Sequence, residues 1–328
     1  MKDILISGGT GFIGLELAKY HHKIGDRVYL IDNLFKDNAR FDEELELFLQ
    51  NKNVFFLNWD LTKKIKKHVI PKKLDCAYHL AAINGTDLFY KIPYELCRNN
   101  ILITINLYDF LSKVKVKKLV YASSSEVYAG GEGLNLITIP TDENVPVVFP
   151  QPTDKRFSYG ISKFVGEFLS FNFSDLFSVP TSVIRFHNIY GPRMGYRHVI
   201  PNFIEKAMTK SQNFILNGGD NTRAFCYVDD AIEAISMVAK SSKTNNKILH
   251  VGNQKEEISI IKLAKIICQI IGNEVSFYDN GAPNMSVNRR CPNTSELSRL
   301  TGFVPKVPLY DGLQTTIDWY SKNQFIKK

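Results

Sequence analysis

Long hydrophobic runs and paired cysteines are both missing from this sequence. No stretch approaches the ~18 consecutive apolar residues of a membrane-spanning helix. Only three apolar residues separate Asp3 from Ser7, so we expect no secretory signal. The five cysteines are scattered and form no C-x-x-C pair, which predicts reduced thiols rather than disulfides or a zinc site. These absences favour a soluble, cytoplasmic protein with no membrane partner.

The excess of basic residues also lacks the aromatic side chains that a nucleic-acid platform requires. The 328 residues carry 41 Lys+Arg against 33 Asp+Glu, a formal net charge of +8. Lysine runs such as 63–64, 72–73 and 113–118 contain no interleaved aromatic residue, so we predict no nucleic-acid partner. A milder interpretation stays open, in which positive potential attracts a small anionic substrate.

Strand-like and helix-like segments alternate through the first half of the chain, which predicts a parallel sheet. Each strand-like run is almost continuously apolar, so both faces of the sheet should be covered. We predict an α/β fold, a Rossmann-type doubly wound parallel sheet with a smaller, discontinuous α/β C-terminal lobe. The nucleotide-binding domain is expected over 1–178, with part of 181–250 returning to it. The lobe is expected mainly over 190–328.

A glycine-rich turn, G-G-T-G-F-I-G, lies between the first apolar run and the first helix. Gly8, Gly11 and Gly14 would give a tight turn and let a pyrophosphate approach the helix N-terminus closely. The preceding strand, the following helix and a later acidic residue strengthen the pattern, which predicts a dinucleotide site.

Two carboxylates follow the second and third strands. Asp32 can accept hydrogen bonds from ribose hydroxyls and would repel a 2′-phosphate. Lys36 and Arg40 follow without displacing it, so the sequence predicts NAD rather than NADP. Asp60 could hold the adenine amino group or could be the N-cap of a helix starting at Leu61, and the two interpretations weigh equally.

A tyrosine and a lysine four residues apart share one face of a predicted helix over 159–177. The Lys163 ammonium and a positive nicotinamide ring would stabilise the Tyr159 phenolate and lower its pKa. Tyr159 is therefore a candidate general base toward a sugar hydroxyl. The serines at 123–125 end a predicted strand at the same sheet edge, where one hydroxyl could bond the reacting oxygen.

The sequence resembles the extended short-chain dehydrogenases/reductases of the NAD-dependent nucleotide-sugar epimerase/dehydratase family, over nearly the whole chain. Further motifs carry the resemblance beside those above: Asp32-Asn33, His79-Leu80-Ala81-Ala82, Ser124 followed by Val127-Tyr128, R-F-H-N-I-Y-G-P-R at 185–193, and T-R-A-F at 222–225.

The resemblance implies roles for particular residues. The catalytic set would be Ser124, Tyr159 and Lys163, with Glu126 as a further acid–base candidate. The residues implied to bind NAD are Gly8, Gly11, Phe12, Ile13, Gly14, Asp32, Asn33, Asp60, Leu61, Leu80, Ala81, Ala82, Asn100, Tyr159 and Lys163. The residues implied to bind a nucleotide-diphosphate sugar are Asn84, Ser125, Asn188, Arg223 and Arg290. An ion pair of Arg223 with Asp229 or Asp230 is the alternative for that arginine. The histidines lack ligand spacing, so no metal is expected.

The implied reaction is oxidation at sugar C4, giving a 4-keto intermediate with enzyme-bound NADH. Ser125-Glu126 stands where 4,6-dehydratases carry Asp–Glu, which favours an epimerase or decarboxylase over a dehydratase. A non-catalytic NAD-binding regulator on the same fold remains the alternative from another class.

Three segments depart from the decarboxylase pattern: residues 84–86, the Pro- and Gly-rich stretch 129–153, expected to be a long loop beside the site, and Asn293 in place of an Asp. Apolar residues on the predicted helices 93–114 and 159–177 exceed what one sheet face needs. The resemblance implies a homodimer through these helices.

Overall fold

The computed structural model describes residues 1–35, 43–65, 70–209, 213–282 and 287–323. Lys36 and Arg40, the basic residues that follow Asp32, lie outside the described residues. In chain order, the strands are β1 (Asp3–Ser7), β2 (Arg27–Asp32), β3 (Val54–Asn58), β4 (Lys73–Leu74), β5 (Cys76–His79), β6 (Lys115–Val116), β7 (Leu119–Ser124), β8 (Thr181–Phe186), β9 (Ile189–Tyr190), β10 (Asn213–Leu216), β11 (Thr222–Ala224), β12 (Cys226–Tyr227), β13 (Lys247–Val251), β14 (Glu257–Ser259), β15 (Ser276–Asp279) and β16 (Arg289–Arg290).

The helices are given in the same order. They are α1 (Phe12–Lys23), α2 (Glu43–Leu49), α3 (Thr86–Lys91), α4 (Pro93–Leu111), α5 (Ala129–Gly133), α6 (Ser158–Phe177), α7 (Val199–Met208), α8 (Val228–Lys240), α9 (Ile260–Ile271), α10 (Ser295–Thr301) and α11 (Leu309–Lys322). Helix α4 ends three residues before the predicted boundary at 114. Among the described residues, no helix combines the length and apolar character needed to cross a bilayer.

The main sheet has seven strands in the order β13-β8-β7-β5-β1-β2-β3, and all its pairs are parallel. From β1 the chain first builds outward to β2 and β3, then returns to β5 on the other side. The order therefore reverses between β1 and β5. In open parallel sheets the ligand crevice lies at this point, beyond the carboxyl ends of the strands. The predicted doubly wound architecture is confirmed.

Apolar residues cover the sheet on both faces, as their near-continuous runs predict. On β1, Ile4 and Ile6 belong to the core cluster that contains Leu15 of α1. Leu5, between them, belongs to a second cluster with Leu107 of α4. The alternation of side chains along one strand thus supplies both layers.

The chain beyond residue 190 builds smaller sheets, β10 with β15 and β14-β11-β16. An isolated bridge between Thr141 and Pro292 ties this part to the stretch 129–153. That stretch is not irregular throughout, because it begins with the short helix α5.

Candidate active site

A cavity of about 700 Å³ lies at the carboxyl ends of the central strands. It extends from the turn after β1 to the end of β16, so residues far apart in sequence face one space. The predicted residues that line it are Gly8, Gly11, Phe12, Ile13, Gly14, Asp32, Asn33, Asp60, Leu61, Leu80, Ala81, Ala82, Asn84, Ser124, Ser125, Glu126, Tyr159, Lys163, Asn188, Arg223 and Arg290. The structure thus brings together every predicted site residue except Asn100.

The glycine turn forms the floor of one end of the cavity. A Cβ on Gly14 would lie 2.0 Å from the Gly8 carbonyl oxygen, so only glycine permits this turn. Gly11 is the N-cap of α1, and no side chain caps that helix terminus. Gly11, Phe12 and Ile13 all line the cavity. An open helix N-terminus beside a narrow backbone cradle fits the pyrophosphate of NAD.

Two carboxylates face the same end of the cavity. Asp32 Oδ2 accepts a hydrogen bond from the Thr10 amide at 3.2 Å, and Oδ1 accepts one from Leu34 at 3.0 Å. Asp60 Oδ1 accepts hydrogen bonds from the Thr62 amide at 2.9 Å and hydroxyl at 2.8 Å. Residues 61–65 form no helix. The helix N-cap interpretation of Asp60 is therefore wrong, because its carboxylate caps a turn.

Asn100 lies behind the cavity wall rather than in it, which corrects the prediction that it binds the cofactor. Its Oδ1 accepts a hydrogen bond from the Ile83 amide at 2.7 Å. Its Nδ2 donates to the Ile83 carbonyl and to Ser162 Oγ, each at 3.1 Å. The side chain thereby ties the wall after β5 to α6. The neighbouring Asn99 faces the cavity instead.

Tyr159 and Lys163 lie on the first turns of α6, where their four-residue spacing places them on one face. The Tyr159 ring stacks on Phe89, with centroids 5.2 Å apart. The Lys163 ammonium donates to the Ala122 carbonyl at 2.7 Å and lies 5.8 Å from the centre of the Tyr159 ring. Ser124 Oγ accepts a hydrogen bond from the Glu126 amide at 3.2 Å.

The protein environment raises the pKa of Tyr159, and the lowering expected from Lys163 together with a nicotinamide ring stays a prediction. Burial is the main cause, and the negative charge of Glu126 adds to it. Ionisation of Tyr159 therefore needs positive charge beyond what the protein supplies here.

Glu126 is held between two guanidinium groups. Its Oε1 accepts from Arg290 Nη1 at 2.7 Å, and its Oε2 lies 2.6 Å from Arg156 Nη1. Burial opposes ionisation of this carboxyl, but the charges of Arg290 and Arg156 outweigh it and lower the pKa of Glu126 to about 2. Glu126 is thus ionised at neutral pH and is not available there as a protonated acid, while its use as a base stays a prediction.

Arg290 lines the cavity and is engaged there by carboxylates, and its role on a substrate diphosphate stays a prediction. Besides Glu126, it contacts Glu132 Oε2 through Nε at 2.9 Å and through Nη2 at 2.8 Å. Neither Arg156 nor Glu132 was predicted from the sequence. Arg156 precedes Tyr159 by three residues, a spacing that could have suggested it. Glu132 gave no local signal.

Arg223 also lines the cavity. Its Nη1 and Nη2 donate to the Thr222 and Val287 carbonyls, each at 2.7 Å. Burial, together with the charge of Arg290, lowers its pKa to about 10. Among the residues that the structure describes, no carboxylate forms an ion pair with it. The predicted alternative with Asp229 or Asp230 is therefore not observed.

Asn188 lines the cavity beside β11, the strand that carries Arg223. Its Nδ2 donates to the Ala224 carbonyl at 3.1 Å, which leaves its carboxamide oxygen as an acceptor. Asn84 and Ser125 also line the cavity, the first after β5 and the second after β7.

The doubly wound sheet, its glycine turn and the Tyr–Lys pair at the same crevice define a nicotinamide-dependent oxidoreductase-type site. A sequence model of the NAD dependent epimerase/dehydratase family matches residues 4–252, and the chain belongs to this family. The predicted family membership is thus confirmed, and the chain is an enzyme of this NAD-dependent kind.

Individual relatives align over almost the whole chain. A UDP-N-acetyl-alpha-D-glucosaminuronate decarboxylase of Bacillus cytotoxicus is 33% identical over 97% of this chain and 98% of its own. A dTDP-D-glucose 4,6-dehydratase of Homo sapiens is 30% identical over 98% and 91%. The solved structure of the Bordetella bronchiseptica enzyme WbmF in complex with NAD⁺ superposes with a TM-score of 0.78, at 26% identity over 98% and 93%. These likenesses confirm the predicted cofactor, NAD.

Proposed function

We propose that this enzyme oxidises a nucleoside-diphosphate hexuronic sugar at C4 and then decarboxylates it. The observation that carries the proposal is one cavity lined by the glycine turn, by Ser124, Tyr159 and Lys163, and by Arg223, which has no carboxylate ion-pair partner among the residues that the structure describes. The cavity therefore offers places for a dinucleotide, a reacting hydroxyl and a diphosphate. The name of the Bacillus cytotoxicus relative supports a uronic sugar as the substrate.

The residues at the turn end would hold NAD. Backbone amides at Gly11–Ile13 would bind the pyrophosphate, Asp32 the adenosine ribose and Lys163 the nicotinamide ribose. When bound, NAD supplies a hydride acceptor and a positive charge near the phenol. Asp60 would bind the adenine amino group through the carboxylate oxygen that its turn leaves free.

The protein's own residues would move the C4 hydroxyl proton. Tyr159 would accept that proton once its phenol is ionised, and Ser124 would hydrogen-bond the C4 oxygen and fix its direction. Arg223 and Asn188 would hold the diphosphate, since a guanidinium forms charge-assisted hydrogen bonds to phosphate oxygens. The sugar would then lie between Tyr159 and the Glu126–Arg290 pair.

The carboxylates at the sugar end distinguish the possible outcomes. Dehydration needs a protonated acid for the leaving hydroxyl, but Ser125 carries no acid and the pKa of Glu126 is about 2. Decarboxylation begins without such an acid, because a ketone at C4 activates a C6 carboxylate for loss of carbon dioxide. 4-Epimerisation is the second candidate, because it uses only the Tyr159 proton transfer that the site already offers.

Two parts of the chain would supply the NAD site and the nucleotide-sugar site. Residues 1–178 would form the NAD-binding domain, with β8 and β13 of the 181–250 segment completing its sheet. Residues 190–328 would form most of the nucleotide-sugar lobe. All five cysteines are free thiols, which supports action in a reducing compartment such as the cytoplasm.

A homodimer through α4 and α6 is part of the proposal. Ile105 of α4 and Phe164 and Phe168 of α6 are 38%, 41% and 64% exposed. The two helices pack side by side on one face of the sheet. Aromatic and aliphatic side chains exposed on adjacent helices form the kind of surface that a second copy would cover.

The decisive experiment is incubation of the purified enzyme with a panel of UDP-, dTDP-, GDP- and CDP-sugars, followed by mass spectrometry and NMR. Loss of carbon dioxide from a uronic sugar is the expected result. An isomeric product would show that the enzyme is an epimerase rather than a decarboxylase. Loss of water would refute the argument from Ser125 and Glu126 against dehydration. No product with any sugar, while NAD is bound, would contradict catalysis itself.

A further inference from the structure

Glu132 lies just outside the cavity and is linked to it by an ion pair with the cavity-lining residue Arg290. The residue is 6% exposed and does not line the cavity, whereas Arg290, Glu126 and Arg156 do. Glu132 Oε2 accepts hydrogen bonds from Nε and Nη2 of Arg290. The remaining Nη1 is directed at Glu126, which contacts Arg156 on its other oxygen.

This contact fixes the direction of a cavity-lining guanidinium. A guanidinium has five donors in one plane, so binding its Nε and Nη2 edge at one oxygen leaves little freedom to rotate. The helix α5 that carries Glu132 is itself placed by close backbone packing. A Cβ on Gly130 would lie 2.0 Å from the Val148 carbonyl oxygen, so the glycine lets α5 approach the backbone at Val148 closely. This approach helps to place Glu132 against Arg290.

The same contact sets the charge at this end of the cavity. Arg156, Arg223 and Arg290 face Glu126 and Glu132, so guanidinium groups exceed carboxylates by one. Burial raises the pKa of Glu132, and the charge of Arg290 works in the opposite direction. Without the Glu132 charge, the excess would double, and the Nε and Nη2 edge of Arg290 could turn toward a phosphate oxygen.

We propose that Glu132 is a positioning residue that keeps Arg290 on Glu126, at the sugar, and away from the diphosphate. The inference rests on the proposed function in placing the sugar at this end of the cavity. It predicts opposite effects on two quantities when Glu132 is neutralised: weaker turnover, because Arg290 leaves the sugar, and tighter binding of a nucleoside diphosphate. General damage to the fold would weaken both.

The test is Glu132→Gln, compared with the wild type for UDP affinity by calorimetry, NAD affinity, Tm and kcat. We expect UDP to bind severalfold more tightly, NAD to bind as in the wild type, and kcat to fall about tenfold or more. UDP binding needs no turnover, so this readout survives even if no sugar substrate is found. A UDP affinity equal to or weaker than that of the wild type would overturn the inference.

The ion pair of the neighbouring Arg289 provides a matched control. Arg289 makes a similar two-point contact with Glu257, at 2.8 and 2.9 Å, but on the protein surface. Glu257→Gln should therefore leave UDP affinity and kcat within about twofold of the wild type. An equal effect of this control would show that strand β16, rather than the direction of Arg290, is being disturbed.

A double-mutant cycle tests whether Glu132 acts through Arg290. Lysine cannot form the two-point contact, so Glu132→Gln should not change UDP affinity in an Arg290→Lys background. Full additivity of the two substitutions would contradict the inference. If Glu132→Gln lowers Tm and NAD affinity, a second variant, Glu132→Asp, separates loss of the charge from damage to the fold. It keeps the charge and should bind UDP as the wild type does, and tighter UDP binding would refute the mechanism.

Discussion

Replacing Tyr159 by phenylalanine removes the proposed proton acceptor and leaves its surroundings intact. The ring that stacks on Phe89 at 5.2 Å is retained, and so is the glycine turn. A positioned acid–base group contributes roughly 10²–10⁴ in rate, which corresponds to about 2.7–5.5 kcal/mol of transition-state stabilisation. We therefore expect kcat to fall by that factor while Tm and NAD affinity stay close to those of the wild type.

The assay is product formation from the identified nucleotide sugar, measured by chromatography at saturating NAD. Lys163→Ala is the comparison variant. It removes both a cofactor contact in the proposed site and the hydrogen bond to the Ala122 carbonyl, so it should weaken NAD binding as well as turnover. Near-wild-type activity of Tyr159→Phe would refute the proton-transfer role. An equal loss of NAD affinity in both variants would refute the separation of their roles.

Three further predictions concern the cofactor cradle, the charge at the sugar end and the assembly. Gly14→Ala should abolish measurable NAD binding in a titration, because its Cβ would overlap the Gly8 carbonyl; wild-type affinity would show that the turn does not form the cradle. Glu126→Gln should move the acid limb of the kcat/KM profile to lower pH. The Glu126 charge raises the pKa of Tyr159, and its removal makes the phenolate easier to form; a shift to higher pH would contradict the electrostatics. Phe168→Asp should convert the proposed dimer to a monomer in light scattering at micromolar concentration, and a wild type that is itself a monomer would contradict the proposed dimer.

Local sequence patterns predicted the parts of the site that depend on neighbouring residues. The glycine turn is set within seven residues, and the Tyr159–Lys163 pair within one helical turn, so both could be recognised before the structure. Asp32 was likewise predicted from its place at the end of a strand. These features need only the period of the element that carries them.

The rest of the site depends on contacts between segments that are distant in the chain, and a single sequence does not reveal such contacts. Glu132 and Arg290 are 158 residues apart, and nothing near either residue predicts their contact. Asn100 was placed in the cavity, but the phase of α4 turns Asn99 toward it and buries Asn100 against Ile83. The Tyr159 pKa has a similar origin, since the sequence does not show how strongly burial and the Glu126 charge oppose ionisation of the phenol.

Oxidation and re-reduction at C4 are tested most directly with a substrate labelled with deuterium at sugar C4. We expect C–D cleavage to slow turnover by a primary isotope effect, and deuterium to reappear at C4 of the product because the hydride is returned to the same carbon. Conversion of the labelled sugar without an isotope effect in a single turnover, or with loss of the deuterium to water, would contradict oxidation and re-reduction at C4.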